Sequence, residues 1–243
     1  LVVRGGRSSA AMLLISSFFI GLCALAPSFF VIIVLNKFLA SGVTATLISL
    51  AFGAVLLLAF ELAFRQNRST MIQEFNQKVF DPFIKIVKDR LSLKQITGEQ
   101  FKKVQQNANI IKATTSPGIT SWVLDWPFVL MFAVILLLIN WTAAFITAVF
   151  MLITLAVNFY QRNLNITQDS KANLEIFITG LLTITIISVG SLQVMAGNLD
   201  IGLLIGSNIL AARAVQGTSK YAKGVDALKQ REKAIREINE VIK

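Results

Sequence analysis

The chain contains no histidine and a single cysteine, Cys23. Without imidazole these residues offer no bis-histidine haem ligation, no histidine metal site and no imidazole acid–base chemistry. A lone thiol cannot form an intrachain disulfide, and its place inside a long apolar run reads as a small buried hydrophobe. Charge is scarce too, at 15% of residues, and acidic groups are the rarer kind, 13 against 23 Lys and Arg. No G-x-x-x-x-G-K-[ST] segment occurs, so these residues do not bind and hydrolyse ATP by the ordinary phosphate-loop route. Ser/His/Asp, paired-carboxylate and metal-ligand constellations are also missing, and neither an enzymatic role nor a metal or cofactor is expected.

Apolar residues are abundant instead, 55% of the chain, with a mean hydropathy of +0.68. A soluble domain of this composition would have to bury nearly every helix on all sides, a burial that a bilayer supplies. Six apolar runs stand out: Ala10 to Leu35, Thr44 to Phe64, Trp126 to Leu138, Thr142 to Tyr160, Ile176 to Met195 and Ile201 to Val215. Each approaches the ~20 residues that cross ~30 Å of hydrocarbon, the third and sixth by borrowing flanking residues. The first run has no A-x-A-like pattern after it and reads as a retained span, although the sequence opens Leu1-Val2-Val3 without methionine, as a processed or truncated start would.

Twenty-two of the 23 basic residues fall on one alternating side of these runs, and Lys37 is the exception. Basic residues in short connections are retained on the cytoplasmic side. The expectation is therefore a multi-pass, all-α protein with six transmembrane helices, both termini cytoplasmic, and segments 65–112 and 161–174 inside. The net charge of +10 follows span boundaries rather than one cluster. It implies anionic lipid headgroups as partners and no nucleic acid.

Segment 65–115 is polar but carries Phe75, Val79, Phe80, Phe83, Ile84, Ile86 and Val87 at helical spacing. It reads as a cytoplasmic helical hairpin, with breaks expected at Asp81-Pro82 and Thr97-Gly98. Pro27 should kink the first span. Asp125 before Trp126-Pro127 suits a helix start, the carboxylate capping N–H groups and the proline in the first turn. Asn140-Trp141 leaves almost no loop between the third and fourth spans. Gly202 and Gly206 have a small-xxx-small spacing, either ordinary for an apolar helix or a dimer contact. After Gly217 the tail is amphipathic, with Val225, Leu228, Ile235 and Ile238 needing an apolar cover. The division expected is a six-span domain over 1–217 and a cytoplasmic amphipathic helix over 218–243. Glu61, Asp125 and Arg213 are the charges nearest hydrocarbon; they fit either a pathway or partner, or snorkelling and capping at span ends.

Several of these motifs, in this order, resemble the transmembrane domain of type I secretion ABC exporters, the type IV exporter architecture. Ala26-Pro27 and Asn36-Lys37 resemble that family's first hairpin, and Ser116-Pro117-Gly118 with Leu124-Asp125-Trp126-Pro127-Phe128 its third-span entry. Val79-Phe80-Asp81 and Thr97-Gly98-Glu99 resemble its first cytoplasmic loop, and Leu203 to Ala214 its last span. The resemblance implies a bacterial inner-membrane location and assigns partner contact to Phe80, Asp81, Thr97, Gly98 and Glu99. Two features depart from it: the missing phosphate loop, and a 161–174 connection too short for the family's second cytoplasmic hairpin. The expected role is therefore a non-enzymatic accessory or scaffold subunit beside other membrane subunits or a second copy. The alternative is a permease subunit working with a separate ATPase chain.

Overall fold

A computed structural model of the chain describes residues 7–38, 44–93, 98–163 and 168–242. All elements among them are helical: α1 (Arg7–Cys23), α2 (Ala26–Ile33), a π-helical turn (Val34–Phe38), α3 (Thr44–Leu93), α4 (Gly98–Thr114), one-turn α5 (Pro117–Thr120), α6 (Trp122–Ile139), α7 (Trp141–Asn163), α8 (Gln168–Met195) and α9 (Ile201–Ile242). Five helical segments are long and apolar enough to cross a bilayer: Ala11–Phe38, Thr44–Lys78, Trp122–Ile139, Trp141–Tyr160 and Ala172–Met195. The expected sixth span, 201–215, is not among them. Its run is interrupted by Gly202, Gly206, Ser207, Asn208 and Arg213.

The reason lies in where α9 sits. It packs against α2, α4, α6, α7 and α8, and Leu210, Ala211, Ala214 and Val215 are completely buried within the core formed with Leu136, Leu182 and Ile186. A helix enclosed by other helices needs small residues for close approach and can carry polar groups, whereas a lipid-facing helix needs apolar residues all round. The opposite case is α3. Only 6% of its most apolar window is buried, against α1 and α2, so Phe52, Val55 and Leu62 point outward.

Local chemistry explains the breaks. The first span divides at Ala24-Leu25, and Pro27 falls in the first turn of α2, where its missing N–H has no helical partner to lose. Between α6 and α7 lies Asn140 alone, whose Oδ1 accepts the Thr142 and Ala143 N–H groups at 3.1 and 3.2 Å. That side chain starts α7 and closes the tight hairpin expected there. Pro82 does not break the helix as expected: α3 runs through it to Leu93. Proline removes one N–H donor, and at the exposed Pro82 the freed carbonyl can turn to solvent. Thr97, expected at the second break, lies outside the described residues; α4 begins at Gly98.

Gly202 and Gly206 are used inside the chain: a Cβ on Gly202 would lie 2.9 Å from the Ile32 carbonyl oxygen, and one on Gly206 would lie 3.2 Å from that of Ser28 and overlap the Ile32 side chain. The small residues seat α9 on α2. The boundary at 217 falls within one unbroken helix, because Gly217 is packed against Val129 and takes no part in a turn.

Candidate functional site

At one end of the apolar bundle, charges from α3, α6, α8 and α9 converge, and a hydroxyl of α1 joins them. Glu61, Arg65 and Arg68 lie at i, i+4 and i+7 of α3 and so share one helix face. Arg65 donates through Nε and one terminal nitrogen to Glu61 Oε1, at 2.9 and 2.7 Å. Arg213, from α9, places a guanidinium nitrogen 3.6 Å from the same oxygen. One turn along, Arg68 donates to Asp125 Oδ1 of α6 at 2.6 Å and to Ser17 Oγ of α1 at 3.1 Å. Lys220 Nζ stands 3.9 Å from Asp125 Oδ2, and Lys223 donates to Glu175 of α8.

Two carboxylates, Glu61 and Asp125, thus face four cations, Arg65, Arg68, Arg213 and Lys220. Glu61 Oε2 and Asp125 Oδ2 are buried without a hydrogen-bond donor among the described residues. Burial pushes the Lys220 ammonium below its ordinary value; Asp125 counters this, while Arg65 and Arg68 reinforce it. Tyr221 packs edge-on to Trp122 at 5.3 Å and against Trp126 at 5.7 Å beside the network. Tryptophan and tyrosine at this level fit the boundary between hydrocarbon and headgroups.

The span-end residues take specific positions. Asp125 lies in the first turn of α6, but its carboxylate turns to Arg68 instead of capping the helix. Pro127 is not in that turn: α6 starts at Trp122, four residues ahead of the apolar run, because α5 and Ser121 lead the chain into it. Arg213 meets Glu61, which joins two of the three charges singled out from sequence. Arg68, Lys220 and the Glu175–Lys223 pair were not singled out. The shared face of Glu61, Arg65 and Arg68 was a readable signal for Arg68; nothing local marks the others.

Part of the tail finds cover inside the chain. Ala234 and Ile238 are buried on Val104 and Ile111 of α4, with Ile235 packed at the edge. Asn107 Nδ2 donates to Glu237 Oε2 at 3.0 Å, and this bond, followed by Lys103 and Lys233, holds the Glu237 carboxyl below its ordinary range despite slight desolvation. Val225 lies beside Leu155 and Phe159 of α7, and Leu228 remains 42% exposed. Gly98 and Glu99 are exposed at the start of α4. Phe80 and Asp81 belong to α3, with side chains outside the described set. α4 and the end of α9 thus form a two-helix stalk beyond the ion-pair network.

No family model and no curated protein sequence matches the chain.

Proposed function

We propose that this chain is a non-enzymatic membrane subunit that crosses the bilayer six times, with α9 as the sixth and central span, and serves as a scaffold within a larger membrane complex. The observation that carries this reading is the set of ion pairs that ties α3, α6, α8 and α9 together, with Ser17 of α1 hydrogen-bonded to it, at the foot of the α4–α9 stalk. Charges that pair across helices fix the helices in one register, and α9 then continues for more than four turns into the stalk. Such an arrangement holds a projecting surface at a set position relative to the membrane. The most apolar stretch of α3, nearly unburied, leaves a long apolar face for lipid or a neighbouring subunit.

The alternative, a permease subunit of a type I secretion-like exporter served by an ATPase on another chain, draws on the motif resemblance and on the exposed Gly98-Glu99 at the stalk tip. The short span between α7, ending at Asn163, and α8, starting at Gln168, weighs against it, since a second long coupling hairpin has no room there. Purification under native conditions followed by mass spectrometry of stoichiometric partners separates the readings. Integral membrane partners without an ATPase support the scaffold. A stoichiometric ATPase whose hydrolysis responds to replacement of Gly98 and Glu99 would replace it with the permease reading.

A further inference from the structure

Between α1, α6 and α9, where Arg65 reaches over from α3, a cavity of about 80 Å³ opens beside the ion-pair network. Its polar wall carries Arg65, Arg213 and Lys220 against the single carboxylate of Asp125, and its apolar wall includes Ile20 and Phe132. Arg65 is already committed to Glu61, and Asp125 Oδ1 to Arg68. Arg213 and Lys220 are not: their nearest carboxylate oxygens stand at 3.6 and 3.9 Å, beyond hydrogen-bond reach. With Lys223 and Glu175 included, five cations face three carboxylates, which leaves two positive charges in excess at the partly buried end of the bundle.

Uncompensated charge at the edge of hydrocarbon is costly and calls for a counter-ion. The unspent donors define which one. A guanidinium fork and an ammonium converging on one cavity suit a phosphate oxyanion. Asp125 lines the same cavity, and its buried Oδ2, which lacks a donor among the described residues, suits a hydroxyl carried by that anion. Basic pockets between membrane helices near the interface recognise anionic headgroups in this way.

We infer that the cavity between α1, α6 and α9 is a binding site for an anionic phosphate group bearing a hydroxyl donor, with Arg213 and Lys220 holding the phosphate and Asp125 Oδ2 accepting from the hydroxyl. A lipid of the phosphatidylglycerol kind presents both groups and would lay its chains along the apolar wall. Free phosphate shares the chemistry without the chains.

The test is native mass spectrometry of the full chain in detergent, titrated with phosphatidylglycerol or phosphatidylcholine, each with and without inorganic phosphate in excess. The full chain should retain one phosphatidylglycerol in preference to phosphatidylcholine. Arg213→Gln with Lys220→Gln should weaken that binding about twenty-five-fold, near fivefold for each charge removed. Lys102→Gln with Lys229→Gln, exposed and outside the network, should leave it unchanged. Lys220→Gln alone gives the fivefold step if the double variant does not fold, since its side chain is 47% exposed and replaceable. Displacement of the lipid by inorganic phosphate identifies phosphate alone as sufficient, whereas lipid binding indifferent to phosphate identifies the intact headgroup and chains. Equal retention of both lipids by the full chain, or an undiminished preference in the Arg213 and Lys220 variants, would overturn the site.

Discussion

Arg68 of α3 and Asp125 of α6, 57 residues apart in sequence, meet through a 2.6 Å charge-assisted hydrogen bond with only 5% of the arginine side chain exposed. Two helices that share no continuous core are thereby joined at one level, and Ser17 draws α1 into the same joint.

Breaking that pair by removing one partner leaves a buried charge uncompensated, at a cost of about 3–5 kcal/mol. Asp125→Asn should therefore lower the thermal midpoint of the detergent-solubilised protein substantially. Arg68→Met combined with Asp125→Leu, which removes both charges and keeps volume, should recover most of the loss. If the double replacement is no more stable than the single, the pair does not join α3 to α6 in the way described.

The glycine contact between α9 and α2 gives a second expectation. Gly206→Leu would drive a side chain into Ile32 and the Ser28 backbone, with a cost of about 1–3 kcal/mol for overpacking. Gly180→Leu, with open space at its Cβ position, should be nearly silent. Both variants should keep the oligomeric state of the parent in light scattering. A change of oligomeric state for Gly206→Leu at unchanged stability would support the dimer-contact reading of this spacing.

The stalk should respond to acid. The Glu237 carboxyl is held below its ordinary value of 4.5, chiefly by the Asn107 hydrogen bond. A depressed folded value means that the stabilisation is complete above the unfolded pKa and is lost as pH falls through the lower folded one. The protection of α4 amides, measured against the intrinsic exchange rate at each pH and against global stability, should fall as pH drops below about 4.5. Asn107→Leu should remove this pH dependence. An α4 exchange profile that keeps the same dependence in Asn107→Leu would place its origin elsewhere.

Much of this architecture was legible because it follows from local chemistry. Apolar length marks six runs, five of which the structure keeps as helices able to cross a bilayer, Pro27 marks the division of the first, and Asn140 the tight hairpin. Where the reading went astray, the deciding contact was distant. Gly202 and Gly206 could not reveal that α2 lay against them. Pro82 carried a helix-breaking signal that a solvated helix face overrode. Ile238 announced a need for cover but not that Val104 and Ile111 supply it. The network was half visible: Glu61, Asp125 and Arg213 stood out as charges beside hydrocarbon, while Lys220 entered only because α9 continues unbroken past residue 217. The polarity that keeps 201–215 from reading as a lipid-facing span is the polarity a central helix tolerates.

Whether α9 crosses the membrane is the point on which the account turns, and it can be measured directly. Single cysteines placed at Asn198, Gln105 and Asn239, all exposed, in a Cys23→Ala background can be challenged with an impermeant thiol reagent in sealed cells. If α9 crosses, Asn198→Cys is labelled from outside, and Gln105→Cys and Asn239→Cys are labelled only after permeabilisation. Labelling of Asn198 and Asn239 from the same side would contradict the crossing, because α9 would then lie within a five-span protein and not cross the bilayer.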